Sequence, residues 1–181
     1  TAIKELSAGT TAPRLALDLN RPSMPYQVVE DLTQECQPSD VVSSTNLVER
    51  QRVIKEPAEI ELIRSAGRIT AAGMKAAADT IRDGGIDSAA SSAAFVAMLA
   101  QGSEFLADNP FVAIGPESAM AHARATNRRP EPGEVVPIMM SAAVRRYQCP
   151  VERTYTFGTP PKELQRSLST VCDAVEAAIG A

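Results

Sequence analysis

The most regular hydrophobic pattern in the chain lies between Pro57 and Gly84, where apolar and small residues recur every three or four positions. Because side chains at this spacing share one face of an α-helix, the pattern predicts an amphipathic helix. Pro57 suits its first position, and Gly84-Gly85 ends it. The residues on its predicted inner face are Ile63, Ala66, Thr70, Met74, Ala77 and Ile81.

Beyond this helix the pattern gives one more helix and then alternates with the period of a β-strand. In the last predicted strand Glu152, Thr154 and Thr156 fall on one face, and the opposite face is mostly apolar. The predicted elements are, in chain order, a helix from Asp87-Ser88 to before Gly102, a short strand in NPFVAIG, two strands within residues 135–158 that turn around Arg145-Arg146, and a helix over residues 162–179.

The order of these elements is α-α-β-β-β-α, and hairpins rather than helical crossovers join the strands. This order favours an α+β fold with an antiparallel sheet. Residues 1 to about 50 show no comparable pattern and contain turn residues and several prolines. We interpret that stretch as the tail of one domain followed by a linker.

Composition narrows the class of protein. The chain has 181 residues, of which 44% are hydrophobic and 22% charged, as in a globular domain with a core. A net charge of −4 and an aromatic content of 4% give no reason to expect nucleic acid or a membrane as partner. An odd number of cysteines without metal-ligand spacing, Cys36, Cys149 and Cys172, indicates reduced thiols, so we expect a cytoplasmic protein.

Two polar residues near the hairpin are candidates for chemistry. His122, the single histidine, lies in a loop-like stretch, where imidazole can act as a general acid or base, although a lone histidine is more often structural. Glu152 either is solvated or pairs with Arg146 or Arg153, or else faces a pocket and binds a cation. We expect the arginine pairs Arg128-Arg129 and Arg145-Arg146 to be solvated turn charges. We expect Cys149 to be an inert thiol.

Three segments, in the same order, resemble the pita-bread hydrolases, the superfamily of methionine aminopeptidase, prolidase, aminopeptidase P and creatinase. They are ERQRVIKEPAEIELIRSAGRI, IGPESAMAHARATNRRPEPGEVV and RRYQCPVERTYTFGTPP. The resemblance implies that residues 46–181 form the first half of a pita-bread catalytic domain. It also implies that residues 1–45 are the tail of an N-terminal domain with a linker, and that the second half of the catalytic domain is missing from this chain.

The metallopeptidases of this superfamily use two aspartates from this half of the domain to bridge two metal ions. The resemblance places Met139 and Pro150 at those positions. A thioether is a weak, soft ligand, and a proline side chain offers no ligand atom. We therefore expect no carboxylate-bridged metal pair, and we predict neither a metal ion nor another cofactor.

The metal-independent branch gives a closer local match. Creatinase has a run that resembles Glu152-Arg153-Thr154, and its catalytic histidine matches His122. By this resemblance His122 transfers a proton and Glu152 holds the planar cation of the substrate. The run RRYQCP resembles ectoine hydrolases, and we expect Tyr147 and Gln148 within it to contact the substrate.

The resemblance thus implies a metal-independent hydrolase that cleaves a C–N bond in a small amidine or guanidino compound. The alternative is a catalytically inactive pita-bread domain that serves as a binding or scaffold module. The expected partners are a small-molecule substrate and a second copy of the chain in a homodimer, with no nucleic acid and no membrane.

Overall fold

The computed structural model describes residues 14–18, 24–36 and 40–180. The chain divides into two compact units, Thr1–Lys55 and Glu56–Ala181. The domain boundary expected between residues 45 and 46 stays a prediction. None of the described helices combines the length and the apolar character needed to cross a lipid bilayer.

The described part of the first unit contains two short parallel strands and two helices. Strand β1 (Arg14–Leu17) pairs with β2 (Asp40–Ser43). Helix α1 (Tyr26–Cys36) lies between them in sequence, because parallel strands need a long crossover connection. Helix α2 (Leu47–Val53) follows, and none of its residues is buried.

The second unit begins with the long helix α3 (Pro57–Arg82). Pro57 fits the first helical turn, where its missing N–H is not needed. The side chain of Glu59 accepts a hydrogen bond from the backbone N–H of Glu56 at 2.7 Å, which satisfies a donor just ahead of the helix. Gly84 follows the helix with φ 78°, a left-handed conformation that glycine adopts without steric cost.

The inner face predicted for α3 is confirmed, with Ile63 only partly buried. Helix α4 (Asp87–Ala100) packs against α3, and the two helices cover one face of the sheet. The small residues on both helices allow them to approach each other closely. The buried residues of α3 are Ala66, Ile69, Thr70, Gly73, Met74, Ala77 and Ile81, and those of α4 are Asp87, Ala90, Ala94 and Met98.

The sheet of the second unit is antiparallel, with the strand order β3-β4-β5. Its elements confirm the predicted α+β class and the predicted order, although the first strand begins earlier than expected. The elements are β3 (Leu106–Val112), a 3-10 helix (Gly115–Ala119), β4 (Val135–Val144), β5 (Tyr147–Thr156) and helix α5 (Lys162–Ile179).

The turn between β4 and β5 has two residues, Arg145 and Arg146, with φ of 47° and 67°. Two-residue hairpin turns of this kind favour Gly or Asn, because both central residues need positive φ. The backbone N–H of Arg145 donates a hydrogen bond to the Glu104 carboxylate at 3.0 Å, which helps to hold the turn. Both arginine side chains are exposed, as predicted.

A buried hydroxyl group joins α3 to the hairpin. The side chain of Thr70, 0% exposed, accepts a hydrogen bond from the backbone N–H of Ala142 at 3.0 Å. It also lies 3.0 Å from the carbonyl oxygens of Ala66 and Cys149, either of which can accept its proton. Because a buried polar group without a partner is costly, these bonds fix the position of the helix over β4 and β5.

Candidate active site

A row of side chains crosses the three strands of the sheet. Phe111 on β3 is the register partner of Met139 on β4, and Met139 is in turn the partner of Glu152 on β5. Neighbouring residues Ile138 and Met140 belong to the core under the helices. Because successive side chains of a strand point to opposite faces, the row lies on the face away from α3 and α4.

The loop after the 3-10 helix brings His122 to this row. Its backbone has φ 56°, a left-handed conformation in which His is one of the more frequent non-glycine residues. The centroids of the His122 and Phe111 rings are 5.0 Å apart, within the range of aromatic contacts. His122 and Glu152 thereby line one pocket of about 130 Å³, together with Phe111, Ala113, Ser118, Met120, Ala121, Ala123, Pro137 and Met139.

Two of the polar side chains that line this pocket, His122 and Glu152, remain available to a ligand. Across the described ranges of the chain, neither the Glu152 carboxylate nor the His122 ring makes a hydrogen bond or an ion pair. Arg153 donates its hydrogen bond, at 2.6 Å, to the backbone carbonyl of Glu152 instead of the carboxylate. The pocket therefore offers a negative charge and an imidazole against apolar walls.

The other two residues predicted to contact the substrate lie elsewhere. The Tyr147 hydroxyl donates a hydrogen bond to Glu59 at 2.7 Å, which ties the start of β5 to the start of α3. Gln148 is exposed opposite Ala143 of β4. Neither is among the described residues that line the pocket. Their substrate roles stay predictions, as do those of His122 and Glu152.

Arg128 shows what the sequence pattern missed. It was expected to be a solvated turn charge, but its side chain is only 28% exposed. The guanidinium pairs with Glu134 and lies 3.8 Å from Glu117. Because both carboxylates come from other turns of the chain, only the folded loop shows that Arg128 stabilises the segment next to His122.

The pKa of Asp79, a residue away from the pocket, is shifted by its neighbours. On the outer side of α3 a hydrogen bond from Lys75 lowers the pKa of Asp79, and the charge of Arg82 adds to this effect. Exposed i,i+4 pairs of this kind support the helix but carry no chemistry of the site.

Residues 61–181 match the profile of metallopeptidase family M24. The chain belongs to this family. An Xaa-Pro dipeptidase from Pyrococcus horikoshii is 26% identical over 157 residues, which are 87% of this chain and 45% of the relative. An Xaa-Pro dipeptidase from Pyrococcus furiosus is also 26% identical and is matched over 46% of its length.

Solved structures show the same fold. The prolidase from Pyrococcus horikoshii superposes with a TM-score of 0.85 and 24% identity, over 98% of this chain and 50% of the prolidase. The X-Pro aminopeptidase from Thermotoga maritima gives a TM-score of 0.81 over 97% of this chain and 49% of that protein. The chain thus spans about half the length of these relatives, and the prediction of a partial pita-bread domain is confirmed.

These comparisons correct the predicted function. Family M24 is a metallopeptidase family, and the named relatives are Xaa-Pro dipeptidases. A metal-independent hydrolase of amidine or guanidino compounds is therefore the wrong prediction, and the creatinase and ectoine hydrolase branch is not supported. The physical reason is that Glu152-Arg153-Thr154 is a short local match, whereas family membership rests on more than a hundred residues of shared fold and sequence.

The described residues do not, however, fit the metal centre that the family name implies. Within residues 14–18, 24–36 and 40–180 no group of three or more His, Cys, Asp and Glu side chains could hold a metal ion. The positions that the resemblance assigns to bridging aspartates are Met139, which lines the pocket, and Pro150 on β5. Their side chains offer a weak thioether and no ligand atom, respectively.

Proposed function

We propose that this chain supplies part of the active site of an M24-family hydrolase that cleaves short peptides. Glu152 binds the ammonium group of the peptide N-terminus, and His122 transfers a proton at the scissile C–N bond. The observation that carries the proposal is that these two side chains line one pocket in a member of a family whose relatives are Xaa-Pro dipeptidases. Because the chain spans about half of those relatives, the activity of the whole protein is part of the proposal.

The role of Glu152 follows from its surroundings. An ammonium group and a carboxylate form charge-assisted hydrogen bonds, which are stronger than neutral ones. Phe111 and Met139 form an apolar wall on one side of Glu152, and the carboxylate is open to solvent and to a ligand on the other. The pocket of about 130 Å³ has room for an ammonium group beside the Glu152 carboxylate.

The role of His122 follows from its chemistry and its support. Imidazole exchanges protons near neutral pH, so it can protonate a departing amine or accept a proton from an attacking group. The His122 ring is exposed on one side and lies against the Phe111 ring, with the centroids 5.0 Å apart, so a substrate in the pocket can reach it. Proton transfer requires a heavy-atom distance near that of a hydrogen bond.

Steady-state kinetics on dipeptides with proline in the second position test this proposal. We expect Glu152→Gln to raise KM about tenfold to hundredfold, since a hydrogen bond to a charged group contributes roughly 1.5–3 kcal/mol. We expect His122→Gln to lower kcat about 10²-fold to 10⁴-fold with little change in KM. The matched control is Glu163→Gln on α5, an exposed carboxamide substitution away from the pocket.

Two results would contradict the proposal. The first is a whole protein containing this chain that is folded and hydrolyses no dipeptide. The second is hydrolysis that proceeds equally well in Glu152→Gln, His122→Gln and the Glu163→Gln control. Acetylation removes the ammonium charge that Glu152 is proposed to bind. Equal rates for an N-acetylated and a free dipeptide would therefore contradict the role of Glu152 but not that of His122.

A further inference from the structure

The N-terminus of α4 is bonded to the loop that carries His122. The residues of this contact, here named the α4 clamp, are Asp87, Ser88, Thr126, Asn127 and Arg128. Asp87 is the first residue of α4 and is only 1% exposed. A carboxylate so deeply buried needs hydrogen-bond donors around it, and in this protein the loop provides them.

The two carboxylate oxygens of Asp87 serve different elements. One accepts a hydrogen bond from the backbone N–H of Ser88 at 2.7 Å, within its own helix. The other accepts from the backbone N–H of Thr126 at 2.7 Å and, at 3.3 Å, from its hydroxyl. A residue that only capped the helix would not need the second oxygen, so the bond to Thr126 is a separate function of Asp87.

Further bonds of the α4 clamp reach the next two loop residues. The backbone N–H of Asp87 donates to the carbonyl oxygen of Arg128 at 3.1 Å. The Ser88 hydroxyl donates to the side-chain oxygen of Asn127 at 2.6 Å. Asn127 has φ 61° and His122 has φ 56°, and non-glycine residues persist in this region only when their surroundings hold them.

We propose that Asp87 is a positioning residue for His122. The α4 clamp fixes the loop four residues after His122, and the 3-10 helix fixes it just before, so the clamp sets where the imidazole stands against Phe111. This positional role rests only on these contacts and the ring contact with Phe111. The consequence for catalysis rests on the proposed function.

The test uses the fact that His122 is the only histidine of the 181-residue chain. Protein labelled at histidine gives one set of ring signals in NMR, and the Phe111 ring 5.0 Å away makes those signals sensitive to position. In Asp87→Asn the amide nitrogen cannot accept the hydrogen bond of Thr126 or Ser88. We expect the His122 ring signals to shift and broaden.

Two controls separate positioning from general stability. Thr126→Val removes only the 3.3 Å hydroxyl bond and keeps the backbone bond, and Asp83→Asn makes the same chemical change at a side chain that is 75% exposed. Both should leave the His122 signals at their wild-type positions. Folded Asp87→Asn with unchanged His122 signals would overturn the proposal.

A second variant applies if Asp87→Asn does not fold. Asp87→Ala buries no new polar group and removes both carboxylate oxygens, including the one that binds Thr126, so it should also shift and broaden the His122 signals. Unchanged signals in folded Asp87→Ala would then overturn the proposal.

Kinetics distinguish this proposal from the proposed function. In Asp87→Asn we expect kcat for dipeptides to fall roughly tenfold to hundredfold, as small misplacements of a catalytic group do, while KM stays near wild type. Shifted His122 signals in a protein that cleaves no peptide would support the positioning role and refute the function. Unshifted His122 signals in Asp87→Asn, in a protein that does cleave peptides, would refute the positioning role and leave the proposed function standing.

Discussion

Strands β4 and β5 have the same length and pair residue for residue, yet they serve different purposes. β4 alternates buried and partly buried residues up to Met140 and is then fully buried as far as Ala143. β5 has no fully buried residue and carries Glu152. Helix α3 packs on both strands, but β4 is the central strand of the β3-β4-β5 sheet and has partners on both sides, whereas β5 pairs on one side only within the described residues.

This difference teaches where chemistry can be placed in such a fold. A residue on β4 must first satisfy packing, because interiors are as dense as organic crystals. A residue on β5 can keep a charge, because water reaches it. The pocket combines the two strands: Met139 from the packed strand β4 forms an apolar wall, and Glu152 from the exposed strand β5 supplies the charge.

The largest expected effect contrasts the cross-strand partners Met140 and Val151. Met140→Ala leaves a cavity in the core and should lower the free energy of unfolding by about 2–5 kcal/mol. Val151→Ala, at a partly buried position, should lower it by about 1 kcal/mol. Urea denaturation measures both, and equal losses would show that the two strands do not differ in packing.

A smaller effect contrasts two glycines of α3. A Cβ at Gly73 would lie 2.6 Å from Cγ of Met98 and 3.0 Å from Sδ of Met140, whereas a Cβ at Gly67 would lie 3.2 Å from Sγ of Cys149 on β5. Gly73→Ala should lower the free energy of unfolding by about 1–2 kcal/mol, because overpacking exceeds the gain in helix propensity.

In Gly67→Ala the gain in helix propensity should roughly offset the milder contact with Cys149. The free energy of unfolding should therefore change by no more than about 0.5 kcal/mol. Thermal unfolding of both variants measures the contrast. A Gly73→Ala protein as stable as Gly67→Ala would mean that the helix is free to move away from β4.

The smallest effect concerns Tyr147 at the start of β5. Tyr147→Phe removes the hydrogen bond to Glu59 and should lower the free energy of unfolding by about 0.5–1 kcal/mol. KM for a dipeptide should not change, because Tyr147 lies outside the pocket lining. Tyr155→Phe on the same strand is the control. A raised KM with unchanged stability would instead support the substrate contact predicted for Tyr147.

The helices and the hairpin of the second unit were predictable because their signals are local, whereas α1 and α2 of the first unit were not predicted. Pro57 and Gly84 mark the two ends of a helix by backbone chemistry that operates within a few residues. The spacing of apolar residues on α3 depends only on helical geometry, and the turn at Arg145-Arg146 follows from where the alternation breaks. The start of β3 was misplaced because Leu106 and its neighbours join the sheet through pairing with β4, which lies about thirty residues further along the chain.

The candidate site was predictable only in part. His122 and Glu152 were singled out from the sequence, and the structure places them in one pocket. Asp87 and Arg128 were missed, because their partners lie in other elements and no spacing reveals such contacts. The function inferred from Glu152-Arg153-Thr154 was wrong, because three residues describe a local surface and not the branch of a superfamily.

The sequence by itself therefore determined the helices and the hairpin of the second unit, the α+β class and the two polar residues worth attention, since each follows from interactions between near neighbours. Tertiary structure decided which of these residues meet. The register of β3, β4 and β5 aligned Phe111, Met139 and Glu152, and the left-handed loop turned His122 toward them. Those relations depend on long-range packing and hydrogen bonds, whose partners only the folded chain identifies.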